Sequence, residues 1–332
     1  MAYSSKGILY AIIKEANFNE GGTFTDADTV AVTSDTNLKP EVDTIERKAQ
    51  VNSFVKLPSL AGKEKGSGSL GLELARKDDG TIAGDVVLEV ALGIKEAAGD
   101  GTGAIIDSDN KKIVEAQSGE TGTATLYKLN KPCGTGSSLA VKEMMGCDTS
   151  DSQSLTLKGI VPNSVDFDFT VADIATISFD LGASSFESVS GEDLLATPEI
   201  LDPIVGKNAV FTVDGTSYTA KNLKFTVSNT VSDREAITSS GIDSKEVTAK
   251  EVKGSFTIDF TGWDELNKFK NNADAEIYLE LMTGGKKFAI YIPKSKYSSV
   301  AIDDDDGILV NNIEFMASLD DNGEAIYVAV EV

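Results

Sequence analysis

Period-two alternation dominates this chain and restricts what it can fold into. In Ser164-Val165-Asp166-Phe167-Asp168-Phe169-Thr170-Val171, polar and apolar residues alternate without a break. Successive side chains of a strand point to opposite faces, so such a segment buries one face and wets the other. The alternation returns at 175–181, 209–213, 223–227, 255–260, 276–281, 288–292, 313–316 and 325–332. Gly, Asn, Asp and Ser clusters separate the runs, as antiparallel turns require. Only two segments carry a helical period. Gly80 to Leu92 holds Ile82, Val86, Val87, Val90 and Ala91 near that spacing and ends at Gly93, a C-terminal cap. Thr261 to Asn271 places Trp263, Leu266 and Phe269 on one face, which predicts a helix packed through those side chains. The expected fold class is mainly β, with one helix in each half.

The halves share short segments in the same order. Gly68-Ser69-Leu70-Gly71-Leu72-Glu73-Leu74 is similar to Gly254-Ser255-Phe256-Thr257-Ile258-Asp259-Phe260. Gly159 to Phe167 is likewise similar to Gly307 to Phe315. In each half the first segment precedes the helix and the second comes after it, the order a tandem duplication leaves. Gly68 to Gly159 spans 91 residues and Gly254 to Gly307 spans 53, so the first copy holds 38 more. They are expected in the Gly-, Ser- and Lys-rich stretch at about 94–132. The resulting division, 1–190 and 191–332, makes two parts of ordinary domain size.

The chain contains no histidine. That excludes Ser-His-Asp and Cys-His catalysis, His-ligated metal centres and histidine pH switches. Gly66-Ser67-Gly68-Ser69-Leu70-Gly71 fits G-x-G-x-x-G, but Leu70 to Leu74 alternates as a strand, where a dinucleotide fingerprint must open a helix. Asp303-Asp304-Asp305-Asp306-Gly307 has no EF-hand frame, because counting back from the glycine puts the first ligand position on Ile302. Asp107-Ser108-Asp109 fails too, with Lys112 where the glycine belongs. Carboxylate pairs are unavoidable among 53 acidic residues, and none stands beside the aromatic residues a sugar cleft needs. No catalytic, cofactor or metal site is expected, and the protein is expected not to be an enzyme.

Thirty basic residues against 53 acidic leave a net charge of −23, which disfavours general nucleic-acid binding. No apolar run is long enough to cross a bilayer. Gly7 to Ile13 is too short for a signal-peptide core and reads as a first strand, so synthesis in a cytoplasm without export is expected. Cys133 and Cys147 sit in Gly/Ser-rich surroundings. Two thiols in a chain this long suit a reducing compartment better, with a single disulfide as the alternative.

The order of strand pairs resembles the major tail tube proteins of long-tailed, siphovirus-like bacteriophages, in a two-module form. Asn222 to Asn229 looks like that family's strand running into a long arm, and Val252 to Phe260 like the return strand before the helix. Lys287 to Pro293, with the closing pair 313–316 and 326–330, looks like its final sheet. In the first half, Gly159 to Phe169 together with Ile174 to Gly182 and Ala183 to Phe186 looks like the same hairpin. The resemblance implies two tandem tail-tube-type β-sandwich or barrel modules, each with one flanking helix and a long hairpin arm. It implies a structural virion protein whose rings stack into a hollow tube that delivers phage DNA to the host. DNA would pass without specific binding, and no membrane and no cofactor would be involved. One-module relatives are implied to place six modules in a ring, so two-module chains would close as homotrimers. The other implied partners are a tape measure protein and tail terminator and tip proteins. The implied location is the virion tail, assembled in the host cytoplasm. The expansion at 94–132 departs from a minimal tube domain. The competing reading is an acidic, β-rich cell-surface protein of S-layer or adhesin type, which would need an export signal.

Two polar stretches occupy equivalent places between strand signals. One is Asn229 to Val252, with Asp233, Arg234, Glu235, Lys245, Glu246, Lys250 and Glu251; the other is Val51 to Gly68, with Lys56, Lys63, Glu64 and Lys65. Loops that long in a compact domain are functional or mobile. Under the resemblance they are expected to be arms, loose in the monomer, that order against the adjacent ring through mixed-charge and apolar contacts. A conduit for DNA must not hold its phosphates. Acids alternating with core residues, namely Glu73, Asp166, Asp168, Asp259 and Glu314, are therefore the expected lumen-facing side chains.

Overall fold

A computed structural model of the chain describes residues 8–47, 58–77, 81–129, 137–146, 151–235 and 242–332. Lys56, Cys133 and Cys147 lie outside the described residues. The first half contains β1 (Ile8–Lys14), β2 (Thr29–Val30), β3 (Asn37–Ile45), β4 (Leu60–Glu73), α1 (Asp85–Leu92), β5 (Gly93–Glu96), β6 (Ala104–Asp107), β7 (Lys112–Glu115), β8 (Ala124–Leu129), β9 (Leu139–Met145), β10 (Gln153–Thr170), β11 (Thr176–Ala183) and β12 (Ser185–Ser190). The second contains β13 (Val210–Val213), β14 (Thr216–Ser217), β15 (Ala220–Glu235), β16 (Ile242–Asp259), α2 (Asp264–Lys270), β17 (Ala275–Thr283), β18 (Lys286–Asp305), β19 (Ile308–Ala317) and β20 (Tyr327–Glu331). The fold is mainly β, and its strands pair antiparallel.

In the first half, β1 pairs with β2 and β9, β9 with β10, and β10 with β12. A second sheet runs β3-β4-β11-β10. The long strand β10 serves both, its first part in the small sheet and its last part, from Val161, in the large one. The second half repeats this wiring. There β13 pairs with β14 and β17, β17 with β18, and β18 with β20, while the other sheet runs β15-β16-β19-β18. Even a bulge recurs, between Pro162 and Ser164 on β10 and between Tyr297 and Ser299 on β18. Strands β5 to β8 have no counterpart among the described residues of the second half.

Of the two paired sequence markers, the earlier falls on equivalent strands. Gly68 in β4 and Gly254 in β16 are each crossed so closely by their hairpin partner that an added Cβ would stand 2.6 Å from a carbonyl oxygen, of Asn37 and Lys224 respectively. The later marker does not match in space. Gly159 to Phe167 lies on β10, whereas Gly307 to Phe315 covers a turn and β19, whose counterpart is β11. Both strands of that hairpin are half-buried, so alternation alone could not tell them apart.

Among the described strands, two pairings cross between the halves, β10 with β15 and β8 with β20, alongside the isolated bridges Ala75–Pro203 and Ile174–Val205. The first fuses the large sheets into eight strands, β3-β4-β11-β10-β15-β16-β19-β18. One face carries Leu70, Phe167, Phe179, Phe225, Phe256 and Phe315 into a hydrophobic core that runs through both halves. The rings of Phe225 and Phe315 meet edge to face, their centroids 6.1 Å apart.

The helices differ from expectation in instructive ways. α1 begins at Asp85 rather than near Gly80, because Ile82 is still extended in a bridge to Arg76; Gly93 caps its end at φ 102°. α2 does not pack through Trp263 and Phe269, which are 58% and 39% exposed. Its buried residue is Glu265, whose carboxylate accepts hydrogen bonds from the Tyr218 hydroxyl (2.7 Å), the Tyr297 hydroxyl and Lys268 Nζ (3.0 Å). A satisfied carboxylate anchors the helix and leaves its aromatic side outward.

Candidate assembly interface

The eight-stranded sheet has a polar outer face. Directly opposed residues of neighbouring strands share a face, so one row reads Glu73, Thr176, Asp168, Lys224, Ser255, Glu314. The next reads Gly71, Ser178, Asp166, Thr226, Lys253, Met316. Asp259 lies on this face two positions beyond Thr257. The structure thus brings Glu73, Asp166, Asp168, Asp259 and Glu314 together on one face. Sequence reasoning missed the cations among them: Lys224 sits opposite Asp168, and Lys253 Nζ lies 2.7 Å from Glu251. Their alternation was visible, but only register shows which acids they meet. Among the described residues, no three His, Cys, Asp or Glu side chains are grouped to hold a metal ion. Gly66 to Gly71 lies within β4 and opens no helix.

The two polar stretches are hairpins rather than loops. β15 and β16 stay paired from Ala220–Ile258 out to Glu235–Ile242, and β3 and β4 out to Ile45–Leu60. The expectation of arms loose in the monomer fails for the second one. Lys250 Nζ donates to the carbonyls of Ala91 (3.2 Å) and Leu92, at the end of α1. Asn229 Nδ2 donates to the carbonyls of Ala91 (3.1 Å) and Pro162 (2.9 Å). A cation at the negative end of a helix dipole is well placed. Burial nevertheless pushes Lys250 down to about 8, with Glu324 pulling weakly the other way. Lys245 is also lowered by burial, against the pull of Asp233, and donates to the Gly182 carbonyl (2.8 Å).

The other arm residues divide. Lys63 bridges the hairpins, 2.6 Å from Glu235 and 3.8 Å from Asp233. Arg234 pairs with Glu246 across its own hairpin at 2.9 Å, both side chains exposed. Glu64 is exposed and holds no ion pair among the described residues.

Both lateral edges of the sheet are unpaired among the described residues. One is the outer side of β3, the other the outer side of β18 from Lys296 to Asp305. The open edge of β18 carries Ile302, 40% exposed, at the position where β10 carries the fully buried Phe167. On the β3–β4 arm, Val42, Ile45 and Leu60 are exposed. Long open edges with apolar side chains invite pairing with another chain.

Strands β5 to β8 brace the second half. β8 pairs with β20, and Ile106, Ile113 and Leu126 pack on Tyr278, Ala289 and Tyr327. Ser108 and the Tyr278 hydroxyl (2.5 Å) both donate to Glu280, and Lys287 Nζ reaches Ser108 Oγ at 2.6 Å.

Residues 5–317 match the family model described as phage tail tube protein. The chain belongs to that family. It is a structural component of a bacteriophage tail tube, and its place is the tail of the virion. No curated protein matches the chain.

Proposed function

We propose that three copies of this tail tube protein close into a ring by repeating, between chains, the joint that already connects the halves within each chain. The modules are 1–190 and 191–332. What carries the reading is the β10–β15 pairing together with two open edges that repeat it: β18 is wired like β10, and β3 like β15. Transferring the internal register sets Ile302 opposite Leu38 of the next chain, as Phe167 stands opposite Phe225.

Size favours three chains. Each contributes eight strands, so three give a 24-stranded wall about 115 Å around, roughly 37 Å across before strand tilt widens it. Two chains would leave about 24 Å between backbones, which inward side chains narrow below the width of a double helix. The polar face with Glu73, Asp166, Asp168, Asp259 and Glu314 lines the channel. Three chains of −23 carry −69 in all. With a Debye length of about 8 Å, repulsion acts near the wall and centres the DNA without holding it. DNA then travels to the host through the stacked rings, which form in the host cytoplasm around a tape measure protein and end at terminator and tip proteins. The outer parts of both arms, with Arg234 and Glu246 on the second, reach the adjacent ring.

Electron cryomicroscopy of tubes grown from the purified chain tests this directly. Three chains per ring and an acid-lined channel are expected. Six full chains per ring would overturn the stoichiometry, a lumen dominated by Lys and Arg the repulsive conduit, and a flat lattice the tube itself.

A further inference from the structure

The internal joint contains a second contact besides the strand pairing. Where β10 meets β15, the arm of the second half also lies on α1, with Lys250 and Asn229 holding the carbonyls at its end. Five of the eight α1 residues are buried. α2 stands at the same place in the second half, against β18 as α1 is against β10, yet no arm covers it among the described residues. Only Glu265 is buried there, and Trp263 and Phe269 are exposed.

The β3–β4 arm has the complementary surplus. Counting from Gly68 and Gly254, Glu64 takes the place of Lys250, and its cross-strand partner Val42 takes the place of Asn229. The charge at this point is reversed. The helix differs too: the last turn of α1 has no basic residue and meets Lys250 with its carbonyls, whereas that of α2 has Lys268 and Lys270. Lys268 is engaged by Asp214 (2.7 Å) and Glu265 (3.0 Å), while Lys270 holds no ion pair among the described residues.

We infer that the β3–β4 arm of one protomer docks on α2 of a second copy, with Glu64 paired to Lys270 and Val42 against the Phe269 side of the helix. This rests on the ring proposed above and names the contact that accompanies its strand pairing. The occupant is another copy of this chain because the exposed side of α2 and Glu64 on the β3–β4 arm, neither engaged by an arm–helix contact among the described residues, repeat the positions of a contact the chain makes with itself, with the arm charge reversed and lysines on the helix. The reversal also adds selectivity. At the joint between chains a lysine at position 64 would face Lys270, so the two arms are not interchangeable.

Charge exchange tests the pair. Glu64→Lys and Lys270→Glu are each expected to raise the concentration at which rings or tubes form by roughly three- to tenfold at low salt, and less at high salt. The double exchange, Glu64→Lys with Lys270→Glu, is expected to return to within about twofold of the original chain. Both positions are exposed, so urea midpoints of the unassembled variants should match the parent. Single variants that assemble like the parent, or a double variant as impaired as the singles, would overturn the pairing while leaving the ring in place. A parent chain that stays monomeric at every concentration would instead overturn the ring reading, and this contact with it.

Discussion

The helices α1 and α2 occupy the same position in two halves with the same wiring, and they are held in opposite ways. α1 is embedded: Val87, Leu88, Val90, Ala91 and Leu92 are buried, and the second arm closes over its C-terminal carbonyls. α2 hangs on one buried carboxylate and turns its aromatic residues outward. The same contrast separates the edges, since Phe167 lies in the core and its counterpart Ile302 is open. The same wiring thus does not bring the same burial. Phe167 and α1 are covered by the other half of the same chain, whereas Ile302 and the aromatic side of α2 are exposed.

The largest effect expected of that contrast is at the edge pair. Phe167→Ala should cost about 3–5 kcal/mol of stability, because a fully buried ring leaves a cavity that the sheet cannot close. Ile302→Ala at the equivalent place should cost the isolated chain less than about 0.5 kcal/mol. Urea unfolding of the two variants measures the difference; equal losses would break the equivalence of β10 and β18.

Next comes the anchor of α2. Glu265→Ala should cost about 2–4 kcal/mol, since Tyr218, Tyr297 and Lys268 lose their shared acceptor in a buried site. Phe269→Ala, on the open side, should change monomer stability by less than about 1 kcal/mol. Denaturant titrations in which Phe269→Ala proved the costlier change would show α2 to be packed like α1 after all.

A smaller effect distinguishes the arms by pH. Lys250 is pushed down to about 8 in the folded chain and returns to its ordinary value near 10.5 on unfolding. Between those values the unfolded chain binds more protons, so stability should rise with pH from about 8 to 10. The gain is roughly 1–3 kcal/mol, and Lys250→Met should lack it. Above pH 10 the raised tyrosines, Tyr297 and Tyr278 among them, act in the other direction, because their hydroxyls deprotonate in the unfolded chain while burial keeps them protonated in the folded one. Unfolding free energies at pH 8, 9 and 10 for the parent and the variant decide the matter, and parallel curves would remove Lys250 from the joint.

The smallest effect concerns the exposed ion pair of the second arm. Arg234→Ala and Glu246→Ala should each shift stability by less than about 0.5 kcal/mol, because a solvated pair gains little over water. Thermal melts showing a loss above about 1 kcal/mol would mean that this part of the arm is docked as well.

Much of the architecture was legible. Strands such as 164–171 and 255–260 announce themselves because alternation is a local property of the chain. Gly93 marked the end of α1 because only glycine takes its left-handed cap without strain. The acids at 73, 166, 168, 259 and 314 were separable from the core by the same alternation. What could not be read was their company. Lys224 and Lys253 enter that face through the register of β15 and β16 against β10 and β19, and a register is a relation between distant segments. The α2 spacing was real, but its outcome was inverted by Tyr218 and Tyr297, which reach Glu265 from 47 and 32 residues away.

By itself, then, the sequence determined the mainly β class, the two helices, the polar and apolar sides of strands such as 164–171 and 255–260, and the exclusion of histidine chemistry, all of which stem from residue type and local spacing. Tertiary structure alone decided that the second arm contacts α1, that Lys250 is buried at its end, and that, among the described residues, the outer side of β3, the outer side of β18 from Lys296 and the aromatic side of α2 are open. Those properties depend on which distant surfaces meet. The free energy of burying a side chain is set by what covers it, and no local pattern in the chain records that.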